Sequence, residues 1–175
     1  MVFGDSKVRV LGFDCGITSP GLGVITRLAR GYRLDAHRVV RTKASEPLEA
    51  RCHRIWQALS SAIAQWRPAL VAVEEQAGAQ VGAYKRGDFN ADNSKTIMTV
   101  GLALGAAFAY GIDVTLIKPQ RAKIAVCGPK MSRADKREVQ AAVERITGVR
   151  VPQDAADAVA NAIAAAQMIP FRKAG

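Results

Sequence analysis

At 175 residues the chain has the length of one ordinary globular domain, long enough to bury a core without disulfides or structural metals. Hydrophobic residues make up 49% and charged residues 23%, which is the balance of a folded protein rather than the low-hydrophobicity signature of disorder. Lys and Arg outnumber Asp and Glu by 25 to 15, and the resulting +10 points to a polyanionic partner, nucleic acid first, while leaving membrane-surface and architectural roles open.

Residues 7–14 (KVRVLGFD) alternate and then run apolar up to Cys15-Gly16, the pattern of a buried strand ending in a turn. A turn through Pro20-Gly21 leads into a second strand, LGVITRL, and a third spans Tyr32 to Lys43 with Arg33, His37, Arg38, Arg41 and Lys43 along it. Short links predict an antiparallel meander. From Pro47 the period becomes helical, with Leu48, Cys52, Ile55, Trp56, Leu59 and Ile63 on one side, and this helix ends before Pro68. Ala69 to Val73 is an uninterrupted apolar strand that meets Glu74-Glu75, parallel to the first strand if the helix is its crossover.

Residues 77–92 are Gly-rich and polar and predict a long functional loop carrying Tyr84, Lys85, Arg86 and Phe89. A helix capped by Asp92 or Asn93 runs to Tyr110, its small residues (GLALGAAFAYG) suited to close packing on the sheet. Asp113 to Ile117 is a fifth strand, followed by a helical turn or two over Lys118 to Val126. Ser132-Arg133-Ala134-Asp135 has the capping-box form and opens a helix to Gly148; a last helix begins at Pro152 to Asp154 and runs to Pro170. The sum is βββαβαβαα: an α/β fold, one domain over 1–175, with a five-stranded mixed sheet flanked by helices on both faces, the order of RNase H-like nucleases. Fold order alone does not license a function.

Four acidic residues stand out by placement. Asp14 closes the first strand, Glu74 closes the neighbouring fourth, and Asp154 and Asp157 share one face at the start of the last helix. Phosphodiester hydrolysis by two metals needs carboxylates converging on cations about 3.5–4 Å apart. Hard oxygen ligands suit Mg²⁺ or Mn²⁺. Each acid alone is also ordinary: Asp14 as a turn former, Glu74 where a strand reaches water, Asp154 and Asp157 as helix-start acids. Their joint occurrence in a basic chain favours the metal reading.

The motifs carrying these residues resemble the RuvC family of Holliday junction resolvases. VLGFDCGITSPGLGVI resembles the opening strand motif (G-I-D-P-G, then G-x-G-V-I), LVAVEEQ the second, and PQDAADAVANAIAAA the last; VGLALGA, PQRAKIAVCG and DKREVQ follow the family in order and spacing. The resemblance spans about the whole chain. It implies a structure-selective endonuclease in which Asp14, Glu74, Asp154 and Asp157 hold two Mg²⁺ ions per active site, with Mn²⁺ as a substitute. It places Lys123 and Lys136 near the DNA backbone; the other basic residues Lys118, Arg121, Lys130, Arg133, Arg137, Lys85 and Arg86 are further candidate DNA contacts.

The family usually carries an aromatic wedge shortly after the catalytic Glu, whereas Ala77-Gly78-Ala79 stands here, so Tyr84 or Phe89 is the wedge candidate. The implied partners are four-way junction DNA, a second copy of the chain and a branch-migration helicase. The helix over residues 93–110, with Phe108 and Tyr110, is either part of the dimer interface or plain sheet packing. Related nucleases of forks, flaps or RNA–DNA hybrids would use the same acids. An actin-type ATPase also opens on D-x-G, but it needs two such domains; a catalytically silent junction binder would have no need of the four acids.

Cys15, Cys52 and Cys127 are odd in number with no C-x-x-C pair, and read as reduced thiols. With no apolar signal region and no bilayer-length apolar stretch, the sequence predicts a cytoplasmic protein and no membrane partner. His37 and His53 fall in no site motif.

Overall fold

The computed structural model describes residues 7–75 and 91–170, without the side chains of 91–94. In chain order the elements are β1 (Val8–Asp14), β2 (Gly21–Arg27), β3 (Tyr32–Val39), α1 (Leu48–Trp66), β4 (Leu70–Glu74), α2 (Ala91–Ala109), β5 (Asp113–Ile117), α3 (Pro119–Cys127), α4 (Lys136–Thr147) and α5 (Gln153–Met168). The strands form one sheet in the order β3-β2-β1-β4-β5. The first three pair antiparallel, as the short links predict, while β4 and β5 join parallel to β1 after helical crossovers.

Alternation along the strands assigns each residue a face. On β1, Leu11 and Phe13 point to a core shared with Ile55, Leu59 and Ile63 of α1 and Val100, Ala103, Ala106 and Ala107 of α2. Val8 and Val10 point the other way, into a core built with Ala122 and Val126 of α3, Val139 and Val143 of α4, and the alanines of α5. The five-stranded mixed sheet with helices on both faces is therefore as expected from the sequence. No helix among the described residues is long and apolar enough to cross a membrane.

Helix α5 lies against β1 and β2 with almost nothing between. A Cβ added at Gly12 would stand 1.9 Å from the Ala158 carbonyl oxygen, one at Gly21 1.9 Å from the Asp154 carbonyl oxygen, and one at Gly23 2.5 Å from the Val159 side chain. Gly12 and Gly23 are register partners, and Gly21 pairs with Asp14, so the three make a contiguous strip bare of side chains. The helix answers with alanine: Ala155, Ala158, Ala162 and Ala165 are fully buried. Arg27, at the far end of β2, donates to the carbonyls of Ala166 and Ile169 and fixes the other end of the helix.

Four details depart from the sequence reading. Residues 119–127 form a separate helix, so the order is βββαβαβααα; Pro119 at the first helical position pre-sets the backbone for it. β3 ends at Val39 rather than Lys43, because the chain beyond bonds to a loop: Val40 N–H donates to the Pro20 carbonyl and Thr42 N–H to that of Thr18. The capping box of α4 lies three residues later than Ser132. Asp135 accepts from the N–H groups of Arg137 and Glu138, and Glu138 accepts from the Asp135 N–H. On α2, Ala103, Ala106 and Ala107 face the core but Gly101 and Gly105 are exposed with no neighbour within 4 Å of a built Cβ, so these two glycines do not serve sheet packing.

The strip predicts a severe effect of one methyl group. Gly12→Ala should destabilise the chain by about 3 kcal/mol or more, the upper end of overpacking costs, because the obstacle is helix backbone that no rotamer change relieves. Urea unfolding measures this, and a parent-like midpoint would contradict the tight contact.

Candidate active site

β1 and β4 are parallel neighbours, with Phe13 opposite Val73 as their last registered pair. One residue further on, Asp14 and Glu74 end adjacent strands on the side that Val10 and Ala72 share with α5. The glycine strip brings the first turns of α5 to the same place, and Asp157 joins Asp14 and Glu74 along a cleft of about 270 Å³. Pro119 and Lys123 of α3 and Lys136 and Val139 of α4 form the other wall. Asp154 is tied to this group through Lys136, whose Nζ lies 3.3 Å from Asp154 Oδ1 and 3.4 Å from Asp157 Oδ2. All four carboxylates singled out in the sequence thus converge, while Glu75, whose N–H donates to the Ile117 carbonyl, does not line the cleft.

The electrostatics are those of acids held out of water. Burial raises the Asp14 carboxyl, and Glu74, with which it shares a hydrogen bond, raises it further, from an ordinary 3.8 to about 8. Asp157 is lifted to about 6, by burial and then by Asp14, against the pull of Lys136. Burial alone would lower Lys136, but Asp157, Asp154 and Asp14 outweigh it and hold the ammonium above its usual value. The Cys15 thiol beside them is pushed far up, chiefly by burial, and donates weakly to the Glu74 carbonyl; it is a neutral packing group.

Two features fit divalent cations here. The donors are hard carboxylate oxygens, and one ammonium is too little charge to bring Asp14 and Asp157 back to ordinary values. Among the described residues no three acids, histidines or cysteines yet stand as a closed ligand cluster. Lys136 occupies the position between Asp154 and Asp157, and Asp14 shares a hydrogen bond with Glu74, so both pairs are satisfied in other ways.

The family model for the crossover junction endodeoxyribonuclease RuvC matches residues 10–165. The chain belongs to the RuvC family. It is 36% identical to RuvC of Clavibacter sepedonicus over 96% of this chain and 79% of that protein, and 34% identical to RuvC of Syntrophomonas wolfei over 89% and 87%. Thermus thermophilus RuvC, solved in complex with a Holliday junction substrate, superposes with a TM-score of 0.76 at 35% identity, covering 91% of this chain and 93% of that one. The yeast mitochondrial resolvase Ydc2 shares the fold at 15% identity, with a TM-score of 0.61 over 91% and 78%. The RNase H-like architecture expected from the sequence holds, and this RuvC-family chain is an endodeoxyribonuclease.

The other candidates distribute unevenly around the RuvC-type cleft. Lys123 and Lys136 line it. Lys118, Arg121, Lys130, Arg133 and Arg137 are exposed on the 118–137 stretch that borders it. Tyr84, Lys85, Arg86 and Phe89 lie outside the described residues. Sequence reasoning missed Asn161, which lines the cleft one turn beyond Asp157. It is 1% exposed, its Nδ2 donates to the Phe13 carbonyl at 3.3 Å, and its Oδ1 has no hydrogen-bond partner, a state that costs about 1–3 kcal/mol. The signal was there: Asn161 is the sole polar residue between Asp157 and Gln167.

Because the folded pKa of Asp14 lies above its unfolded value, the folded chain holds a proton that the unfolded chain releases between about pH 4 and 8. Stability of the metal-free protein should therefore fall as pH rises through that window. Asp14→Asn cannot ionise and should flatten the decline, standing roughly 2 kcal/mol above the parent at pH 8, a discounted share of 1.4 kcal/mol per pKa unit. Calorimetric scans in EDTA at pH 5 to 8 decide this; identical slopes would show that Asp14 is not strained by burial.

Proposed function

We propose that this RuvC-family nuclease cuts four-way DNA junctions by paired nicks, with Asp14, Glu74, Asp154 and Asp157 holding two Mg²⁺ ions per active site and Mn²⁺ able to replace them. The observation that carries the proposal is the convergence of strand-end and helix-start acids in one cleft walled by Lys123 and Lys136. Bound cations would supply an activated water and charge stabilisation at the leaving oxygen. The chain's own part is positional. β1, β4 and α5 hold the four carboxylates, and Lys123 and Lys136 neutralise the phosphate. The exposed bases Lys118, Arg121, Lys130, Arg133 and Arg137 grip the backbone without reading sequence. Lys85 and Arg86 extend that grip, and Tyr84 or Phe89 supplies the stacking wedge.

A four-way junction has two-fold symmetry, so paired nicks require two copies of the one nuclease domain related by the same axis. α2 offers the surface for it: Met98, Gly101, Gly105 and Phe108 fall on one exposed stripe, with Tyr110 following, and the bare glycines allow a second helix to approach. The dimer acts in the cytoplasm, where its free cysteines stay reduced, beside a helicase that moves the branch point.

Cleavage of synthetic four-way junctions with Mg²⁺, against linear, forked and RNA–DNA hybrid duplexes, tests the substrate. The junction should be nicked symmetrically and preferentially. Asp14→Asn should slow the cut on the order of 10²–10³-fold, the scale of losing a principal transition-state stabiliser, while junction binding persists. Hybrids or linear duplexes cut as fast as junctions would reject the proposal. For the dimer, Phe108→Glu should convert the protein to monomers in sedimentation equilibrium and turn paired nicks into single ones; an intact dimer would move the interface elsewhere.

A further inference from the structure

Asn161 holds an amide in a place where α5 otherwise uses alanine. Its flanks Ala160 and Ala162, and Ala158 and Ala165 one turn away on either side, are all buried alanines, so packing alone does not call for a polar side chain. The amide's orientation is fixed by chemistry. Nδ2 faces the Phe13 carbonyl at 3.3 Å, and a backbone carbonyl can only accept, so the nitrogen must stay there and Oδ1 must face away from it. That oxygen is buried and unpartnered, and the residue lines the same cleft as Asp14, Glu74 and Asp157. Phe13 immediately precedes Asp14, so the bond also ties α5 to the strand end that presents the first acid.

We propose that Asn161 is a positioning residue of the cation site: its N–H fixes the end of β1, and Oδ1 accepts a hydrogen bond from water in the hydration shell of the divalent ion. This rests on the cation-dependent reading given above. Waters on a divalent cation are polarised, strong donors, and Mg²⁺ keeps several of them when it binds protein. A neutral acceptor on the cleft wall fits where an ammonium or a fifth carboxylate would upset the charge. Acceptors at this remove from the ion change metal affinity by about 10–100-fold.

Calorimetric titration of the metal-free full chain with Mn²⁺ separates the possibilities. Asn161→Leu, which keeps the branching at Cγ without polar atoms, and Asn161→Ala, matched to the neighbouring helix positions, should each weaken Mn²⁺ binding about tenfold. The metal-free melting temperature of the Leu variant should stay close to the parent's, since loss of the bond to the Phe13 carbonyl is offset by removal of an unpartnered acceptor. Should Leu prove too bulky to fold, the Ala variant decides alone. Parent-like Mn²⁺ affinity with a lowered metal-free melting temperature would reduce Asn161 to a packing residue and overturn the proposal. A parent that binds no Mn²⁺ would reject the cation centre itself, and the role of Asn161 with it.

Discussion

The contact of α5 with β1 and β2 is closer than side chains normally allow, and the site exists because of it. Gly12, Gly21 and Gly23 remove every Cβ from the facing strip of sheet, and α5 presents alanine to it. Glycine inside strands costs conformational entropy and contributes no side-chain contact. Here that cost is offset by dispersion between two backbones in direct contact, spread over a helix buried along its length. The functional return is reach. Asp154 and Asp157 have short side chains, and only a helix seated this deep brings them to Asp14 and Glu74. A single methyl on the strip would lift the helix and open the cleft.

Against that well-packed scaffold the site is locally unfavourable. Asp14 sits buried beside Glu74, and α4 begins with Lys136, a cation at the positive end of a helix dipole. Neither choice helps folding. Lys136 is held by the two α5 acids, so α4 and α5 meet through an ion pair whose members belong to the cleft. Conflicts between local preference and global fold gather where a protein acts, and these gather within one cleft. The other face of the sheet is closed, among the described residues, mainly by aliphatic packing of α1 and α2, and α2 leaves Phe108 outside.

Strand and helix periods carried nearly all of the fold, and the four acids were legible because each stands at an element's end where a turn or cap signal marks it. The misses have physical causes. Asp135 rather than Ser132 caps α4, since Asp135 has Glu138 three residues on to complete the box, and Ser132 has only Asp135, whose side chain is shorter than the Glu or Gln such a box uses. β3 was read too long because residues 40–42 keep a strand-like composition while bonding to a loop, a choice fixed by Arg51, which reaches from α1 to the hydroxyls of Thr18 and Thr42. Asn161 escaped because a buried amide has meaning only through what surrounds it. In sequence it is one polar letter in an alanine helix.

The charge pattern then explains how a polyanion reaches acids at all. A net +10 draws DNA to the protein, but three carboxylates lining a cleft, with Asp154 joined to them through Lys136, repel a phosphodiester at short range. Lys123 and Lys136 cover part of that repulsion, and Lys136 is already engaged by Asp154 and Asp157. A phosphate entering the cleft either competes for that ammonium or needs positive charge from elsewhere. On the proposed reading, divalent cations held by the acids would resolve the conflict, and binding of the backbone to exposed bases on the 118–137 stretch would need no such help. Grip and cut would thereby be separable: a basic surface would hold DNA whether or not the cleft is charged for hydrolysis, and loss of a carboxylate would leave a protein that binds its substrate and does not cleave it.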